Sequence, residues 1–408
     1  MYLTVFWRFL SIVSGFIVLI ILGKITTRDN FGEIQFIISI MNVCLLFTVF
    51  GNGSLVTRYS NGNDDENIYG IYILQLFLSL SSSIIVYFIF LNIVTFKNLN
   101  LLNIQYPSFI IILYSMIVLT AGNYRGKKIF YISQGIDVTC KSIIPLIFLL
   151  YAYLNDFKIN VDAYLLVLLV SGNVYLLVFH RDLFRNLSGG FYKLSQGFLK
   201  TKQSLTKNLK ETTALTATIS VANSMRFIDI IMLGFLSSFI ETANYKVCIS
   251  LALLASVLFS AIGQFITPFL GKDRNKNIKF IKNITRLSFI LTISSSCFLY
   301  LIAPLILKIF FEIDFEDVKT LVIILLFSNV VISFWGYTYE FCIMNELGTK
   351  MFIPALLIIL LNVFLNFIFI SAFQATGAAL STAICSVLFT VIIWHIIRRT
   401  FDANMNMI

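Results

Sequence analysis

The sequence predicts an all-α, polytopic membrane protein with about twelve transmembrane helices, arranged as two six-helix bundles related by a parallel repeat. Three observations predict this fold: the apolar composition, the spacing of the apolar segments, and the distribution of lysine and arginine. Hydrophobic residues make up 58% of the 408 residues and charged residues only 12%. Because a water-soluble domain carries about 25% charged residues, so much apolar surface indicates lipid as the solvent.

Apolar segments recur along the whole chain at lengths that suit a bilayer. A helix needs about 20 mostly apolar residues to cross the hydrocarbon core. The twelve candidate spans are 9–25, 34–57, 71–94, 108–122, 138–154, 160–180, 211–237, 243–270, 284–308, 318–343, 351–372 and 375–397.

Lysine and arginine predict the orientation, because cytoplasmic loops of membrane proteins are enriched in both. With the N-terminus inside, 22 basic residues fall on the cytoplasmic side and 7 outside, while Arg226 lies within a span. We therefore expect both termini in the cytoplasm. The same bias explains the net charge of +10 without a nucleic-acid partner.

The spans fall into two similar halves. We expect an N-terminal bundle over 1–190, a basic cytoplasmic linker over 191–210, and a C-terminal bundle over 211–408. A shift of 211 residues places Leu22 on Leu233 and brings later span starts together. Such repeats usually enclose a central cavity. The loop 181–210 is either an amphipathic helix on the anionic leaflet or a solvated linker.

Sequence motifs of catalysis are missing. There is no GxSxG, Walker loop, HExxH or dinucleotide fingerprint. The six cysteines form no CxxC pair, and the two histidines do not stand at ligand spacing. We therefore predict no catalytic residue, no metal and no cofactor. A membrane glycan polymerase or ligase is the enzymatic alternative, but such enzymes usually carry a sizeable outer loop.

Charged side chains inside spans mark candidate functional residues, because an isolated charge in a bilayer is costly. Arg226 lies near the middle of the seventh span, on a polar stripe that also contains Asn223. Asp229 follows three residues later and is close enough along a helix to pair with Arg226. The two residues are either a self-neutralising ion pair or part of an anion site that lines the cavity.

A second polar face is predicted in the tenth span. On a continuous helix it would carry Asn329, Ser333, Gly336, Tyr337 and Glu340. Glu340 would either reach the cytoplasmic interface or line the cavity, where it would suit coupling to a cation.

Polar groups in other spans complete the candidates. Asn362 and Asn366 stand one turn apart in the eleventh span, where amides usually bond to other helices. The alternative is that these two amides, together with Asn223 and Asn329, bind sugar hydroxyls. We predict Arg58 and Lys141 at the cytoplasmic mouth of the cavity and Lys24 on the outer side.

Three stretches carry a resemblance to a known family. They are GKITTRDNFGEIQFIISI with FGNGSLVTRYSN, the run from NSMRFIDIIMLG to ITPFLGK, and NVFLNFIFISAFQATGAALSTAICS. Together they resemble polysaccharide-biosynthesis transporters, the oligosaccharide-lipid flippases of the multidrug/oligosaccharidyl-lipid/polysaccharide exporter superfamily. The matching positions are Lys24, Phe31, Gly32, Gly51, Arg58, Asp229, Leu233, Gly234, Tyr245, Pro268, Asn362, Asn366, Gly377, Ala378, Ala379 and Thr382.

The resemblance implies a flippase of the bacterial inner membrane. Such a protein moves an undecaprenyl-diphosphate-linked oligosaccharide, an O-antigen (lipopolysaccharide) or capsule repeat unit, from the cytoplasmic to the outer leaflet by alternating access. It implies the lipid-linked glycan and the bilayer as partners. The resemblance leaves both proton and sodium open as the coupling ion. It also leaves open a polysaccharide polymerase and a chain-length regulator as further partners. The runner-up is a cation-coupled multidrug antiporter of the same superfamily.

Overall fold

The computed structural model describes residues 2–49, 51–61, 65–97, 99, 101, 103–194, 224–266, 270, 278–345 and 347–400. Within these residues the secondary structure is helical and no strand occurs. The chain forms two compact units, Met1–Thr216 and Ala217–Ile408, here called the N-terminal unit and the C-terminal unit. The predicted all-α membrane fold is confirmed. Most of the predicted linker 191–210 lies outside the described residues, so the predicted domain boundaries stay predictions.

The described part of the N-terminal unit contains eight α-helices and one π-turn. They are α1 (Tyr2–Ile25), α2 (Arg28–Val49), α3 (Asn52–Asn61), α4 (Asp65–Lys97), α5 (Gln105–Gly126), α6 (Phe130–Val138), the π-turn Thr139–Ile143, α7 (Ile144–Leu154) and α8 (Val161–Leu194). Helix α8 continues into the predicted loop 181–210. An amphipathic surface helix beyond Leu194 falls on residues outside the described ranges.

The described part of the C-terminal unit contains seven α-helices. Its helices are α9 (224–236), α10 (Phe239–Ala255), α11 (Val257–Ile266), α12 (Ile278–Phe311), α13 (Phe315–Phe334), α14 (Thr338–Met344) and α15 (Gly348–Thr400). Helix α15 has two parts, because Gln374 interrupts it with φ 52° and ψ −128°. We call the parts before and after Gln374 α15a and α15b.

The helices agree with the predicted spans. Eight described helical stretches are long and apolar enough to cross a membrane, and the longest, Lys350–Thr400, contains two predicted spans. Each of the twelve predicted spans coincides with a described helix over at least part of its length. The 211-residue shift also holds at a helix boundary, since Ile25 ends α1 where residue 236 ends α9, and Arg28 begins α2 where Phe239 begins α10.

The predicted second span, 34–57, is wrong at its end. Helix α2 stops at Val49, and Gly51 adopts a φ of 86° before α3 begins. Helix α3 packs on α5, where Gly122 and Gly126 stand one turn apart and a Cβ on Gly126 would collide with the Thr57 carbonyl. The Thr57 hydroxyl donates to the Gly122 carbonyl at 3.0 Å. Polar groups of α3 therefore make hydrogen bonds inside the N-terminal unit. A continuous apolar span would carry no polar groups that need such bonds.

The fifth and tenth predicted spans also differ from the structure. The helical stretch predicted over 138–154 begins at Phe130, eight residues earlier, and contains the π-turn. The tenth, predicted over 318–343, is interrupted between α13 and α14, where Gly336 has a φ of 65°. A side chain on Gly336 would also press against Thr285 of α12. Local glycine geometry therefore overrides the apolar pattern at this point.

Candidate functional site

A fully buried carboxylate lies at the centre of the C-terminal unit. Asp229 of α9 has no exposed surface. Its Oδ2 accepts hydrogen bonds from the Tyr245 hydroxyl at 2.8 Å and from the Thr382 hydroxyl. Its Oδ1 accepts from Nδ2 of Asn366 at 2.8 Å and from Nδ2 of Asn362 at 3.3 Å. We call these five residues the Asp229 cluster.

Four helical segments supply the cluster, and the sequence explains how they meet. Asn362 and Asn366 stand one turn apart on α15a, so their amides reach the same carboxylate. Thr382 lies on α15b, beyond the kink at Gln374. The kink is tight: a Cβ on Gly377 would collide with the Phe369 carbonyl. Glycine at position 377 is therefore required for α15b to begin this close to the backbone of α15a.

The hydrogen bonds suit an ionised carboxylate. A carboxylate has about four acceptor sites, and here four neutral donors point at it. Bonds to a charged acceptor are about twice as strong as neutral ones, which offsets the cost of burying the charge. These four neutral donors thus offset part of the cost of burying Asp229.

The same cluster is rich in oxygen atoms. Oδ1 of Asn366 is buried and has no hydrogen-bond partner, and Oδ1 of Asn362 accepts from Nδ2 of Asn366 at 3.2 Å. Carboxylate, amide and hydroxyl oxygens are the ligands that hard cations prefer. In the described part of the chain no three His, Cys, Asp or Glu residues converge. One carboxylate with neutral oxygens thus fits a monovalent cation better than a divalent metal.

Sequence reasoning named three members of the cluster and missed two as site residues. Asp229, Asn362 and Asn366 were predicted separately, on two spans, and the structure brings them together. Tyr245 and Thr382 occur in the family pattern but carry no charge, so intramembrane cost did not single them out. The sequence feature that indicates Tyr245 and Thr382 is their position in the family pattern that also contains Asp229.

Arg226 does not pair with Asp229 in the described structure. The side chain of Arg226 is exposed, and no ion pair joins it to Asp229, whose acceptor sites are used by neutral donors. The self-neutralising pair considered for these residues is therefore not formed here. Asn223, the next member of the predicted stripe, lies outside the described residues.

The predicted polar face of the tenth span is divided by the break at Gly336. Asn329 donates to the Ala252 carbonyl at 2.8 Å and so holds α13 against α10. Glu340 follows the break on α14, with its Oε1 3.6 Å from where a Cβ on Gly263 would stand. The expectation that these two residues share one helical face is wrong, because the helix does not continue through Gly336.

The basic candidates lie in different places. Lys24 is exposed in the last turn of α1, and Arg58 lies on α3. Lys141 belongs to the π-turn in the middle of Phe130–Leu154, about 16 Å of helix from its start and about 20 Å from its end. The helical stretch that contains Lys141 begins eight residues before the predicted span, and the position of Lys141 at the cytoplasmic mouth stays a prediction.

Comparison with known proteins identifies the family. A family model described as "Polysaccharide biosynthesis protein" matches residues 4–273, which include Asp229 and Tyr245. The chain belongs to this family. Asn362, Asn366 and Thr382 lie beyond the matched range. Comparison with curated protein sequences gives no match.

Solved structures support the same assignment at the level of fold. The lipid II flippase MurJ in an inward closed conformation has a TM-score of 0.73 and 15% identity, with 98% of this chain and 88% of that chain covered. A MATE transporter in the bent conformation has a TM-score of 0.62 and 14% identity, with 97% and 94% covered. This polysaccharide biosynthesis protein thus has the fold of the MurJ and MATE transporters.

Proposed function

We propose that the protein is a flippase that moves an undecaprenyl-diphosphate-linked oligosaccharide, an O-antigen or capsule repeat unit, to the outer leaflet of the bacterial inner membrane. The polysaccharide family and the flippase-like fold support this substrate class. In this proposal both termini are cytoplasmic, as the basic residues predict. The protein does no covalent chemistry; it binds the head group and exchanges the side on which that group is exposed.

The Asp229 cluster is the observation on which the mechanism rests. A wholly buried carboxylate inside a membrane unit is normally part of an ion or proton pathway. Here it touches both parts of α15, so a monovalent cation at its oxygens would change the charge that holds α15a and α15b. We propose that this cation, proton or sodium, drives transport by favouring one of two conformations.

Arg226 is the proposed contact for the diphosphate. Arg226 has exposed surface on the apolar helix α9, and no ion pair joins it to Asp229 in the described structure. A planar, permanently charged group with several donors suits phosphate oxygens. Because Arg226 stands three residues before Asp229, substrate and cation would act on the same helix without sharing a ligand.

Reconstituted vesicles test the coupling. We would measure flipping of a lipid-linked oligosaccharide labelled on its glycan, by loss of fluorescence to an impermeant quencher, under a sodium gradient and under a pH gradient. One gradient should accelerate flipping in the wild type and have no effect in Asp229→Asn. Asp314→Asn makes the same chemical change at an exposed position and should behave as wild type.

Arg226 variants test the head-group contact in the same vesicles. Arg226→Ala should abolish flipping at normal protein levels, and Arg226→Lys should restore part of it, because the charge returns without the planar fork. Arg398→Gln, at an exposed arginine near the end of α15b, is the matched control. Normal flipping by Arg226→Ala would show that the diphosphate is bound elsewhere.

A second candidate function is cation-coupled export of small molecules. The fold likeness to the MATE transporters favours it, and the buried carboxylate suits it equally well. The discriminating arm loads the same vesicles with ethidium. Gradient-driven ethidium movement that needs Asp229, without movement of the lipid-linked glycan, would replace the flippase proposal with the antiporter.

A further inference from the structure

At the break between α2 and α3, a side chain from another helix bonds to both sides. Gln75 of α4 has no exposed surface. Its Nε2 donates to the Thr48 carbonyl in the last turn of α2 at 3.2 Å. Its Oε1 accepts from Nδ2 of Asn52, the first residue of α3, at 2.7 Å. One glutamine therefore connects the end of one helix to the start of the next.

The Thr48 carbonyl that Gln75 bonds also has a backbone donor within reach of a small rearrangement. In a continuous α-helix this carbonyl would accept from the N–H of Asn52, four residues later. Here Gly51 has a φ of 86°, α2 ends at Val49, and the carbonyl accepts from a side chain. The segment can therefore bond the Thr48 carbonyl in two ways, through Gln75 when bent or through its own backbone when straight.

Helix α3 is packed so closely on α5 that it cannot move separately. A Cβ on Gly122 would stand 2.5 Å from the Gly53 carbonyl oxygen, and a Cβ on Gly53 would stand 3.1 Å from Cγ1 of Val118. Oγ of Ser60 donates to Oδ1 of Asn123 at 2.6 Å. Buried side chains of α3, α4 and α5 form one apolar cluster: Leu55, Val56, Tyr59, Ile68, Ile71, Tyr72, Met116 and Leu119. We call these three helices the α3–α5 block.

Helix α2 is packed less closely than α3. Among the described residues, the apolar cluster of the α3–α5 block includes none from α2. One side of α2 instead borders a cavity of about 190 Å³, which it lines with Ile38, Met41, Asn42 and Leu45. Atoms beside a void lack part of their van der Waals contacts, so less is lost when they move. Helix α2 is therefore the part that can change direction relative to the block.

We infer that the junction of α2 and α3 is a conformational switch between a bent and a straight helix, and that Gln75 holds the bent state. In the straight state the Thr48 carbonyl accepts from the Asn52 N–H, and Gln75 no longer holds α2. Gly51 leaves the left-handed region at little cost, because glycine populates both signs of φ. Two states that exchange one hydrogen bond for another differ little in free energy, which suits alternating access. The inference goes beyond the proposed function, since it concerns how the N-terminal unit moves and not what is carried.

Hydrogen–deuterium exchange of the purified full chain in detergent tests the switch without any substrate. The first N–H groups of an α-helix have no acceptor within that helix, so a straight segment would protect the amides of residues 52–54. Gln75→Leu removes both hydrogen bonds of the side chain and should slow exchange at these amides by about tenfold or more. Loss of a merely structural contact has the opposite sign, because exchange would then become faster across α2, α3 and α5.

A second variant reaches the straight state by another route. Gly51→Ala disfavours a φ of 86° and favours a helix, so it should slow exchange at residues 52–54 as well. This variant decides the matter if Gln75→Leu does not fold. Ser79→Ala is the matched control, because Ser79 is buried one turn later on α4 and its hydroxyl donates to the Leu76 carbonyl of the same helix at 2.9 Å. It should exchange as wild type does.

Unchanged or faster exchange at residues 52–54 in both variants would overturn the inference, and so would slower exchange in Ser79→Ala. The vesicle assay then tests whether the switch serves transport. Both variants favour one state, so each should slow flipping about tenfold or more, while Ser79→Ala should flip normally. Slower exchange with normal flipping would separate the switch from transport and overturn that role. A wild type that flips no lipid-linked glycan contradicts the proposed function alone, because the exchange measurement needs no substrate.

Discussion

In the C-terminal unit the acid Asp229 is wholly buried and every acceptor site of its carboxylate meets a donor. In the N-terminal unit the base Lys141 is half-buried and borders a cavity of about 190 Å³. In the C-terminal unit, side chains of the unit surround Asp229. In the N-terminal unit, a cavity lies beside Lys141. The first arrangement suits a small ion that replaces a proton or a hydrogen bond.

The two charges are not repeated between the units. By the 211-residue shift, the position of Asp229 corresponds to Val18, which is buried and apolar. In turn, no lysine or arginine occurs between Lys350 and Arg398 in α15. The positions of Asp229 and Lys141 therefore carry a charge in one half of the repeat and none at the matching position of the other half. The packing indicates that these two charges differ in their importance for stability.

The largest expected effect is at the kink that brings α15b to Asp229. Gly377→Ala should lower stability by several kcal/mol, because its Cβ would collide with the Phe369 carbonyl. Denaturant titration in mixed micelles measures the change. Gly15→Ala is the control, since a Cβ on Gly15 meets no atom within 4 Å, and it should be neutral or slightly stabilising. Equal effects of the two would mean that the kink contributes little.

Removal of each charge compares the two units directly. Asp229→Leu removes the carboxylate that accepts four hydrogen bonds and should cost about 3 kcal/mol or more. Lys141→Met removes a charge from the edge of a cavity and should change stability by less than about 1 kcal/mol. The same titration measures both variants. A larger loss for Lys141→Met would break the comparison, because it would make the base the structural group.

A single donor should show the same contrast on a smaller scale. Tyr245→Phe removes one hydrogen bond to a buried carboxylate and should cost about 1.5–3 kcal/mol. Tyr164→Phe removes a hydroxyl from the cavity lining and should cost less than about 0.5 kcal/mol. Thermal unfolding followed by circular dichroism gives the order of the two. Similar losses would indicate that the cavity wall is as tightly bonded as the Asp229 cluster.

The smallest effect provides a calibration of both units. Asn329→Ala removes the bond of 2.8 Å to the Ala252 carbonyl in the C-terminal unit. Ser60→Ala removes the bond of 2.6 Å to Oδ1 of Asn123 in the N-terminal unit. Each should cost about 1 kcal/mol, the usual net value of one hydrogen bond. A marked difference between them would show that the units differ in overall stability, and the larger effects would need to be scaled accordingly.

The sequence was sufficient for the helices, because apolar length and basic loops are local properties. It was not sufficient where one residue changes the path of the backbone. Gly51 and Gly336 each interrupt an apolar run that reads as continuous helix, whereas the break at Gln374 falls between two predicted spans. The same limit explains the site: the cost of a buried charge pointed to Asp229, but which donors it meets depends on the kink at Gln374. Arg226, the nearest partner in sequence, is not the partner in space.

The kink in α15 has a consequence for motion. Asn362 and Asn366 bind Asp229 from α15a, and Thr382 binds it from α15b. The carboxylate therefore connects both parts of the kinked helix α15 to α9. The two amides donate to Oδ1 of Asp229, and the Thr382 hydroxyl donates to Oδ2. A cation at one of these oxygens would therefore weaken the hydrogen bonds to one part of α15 more than those to the other. The bend angle of α15 at Gln374 would then depend on whether a single cation is bound to Asp229.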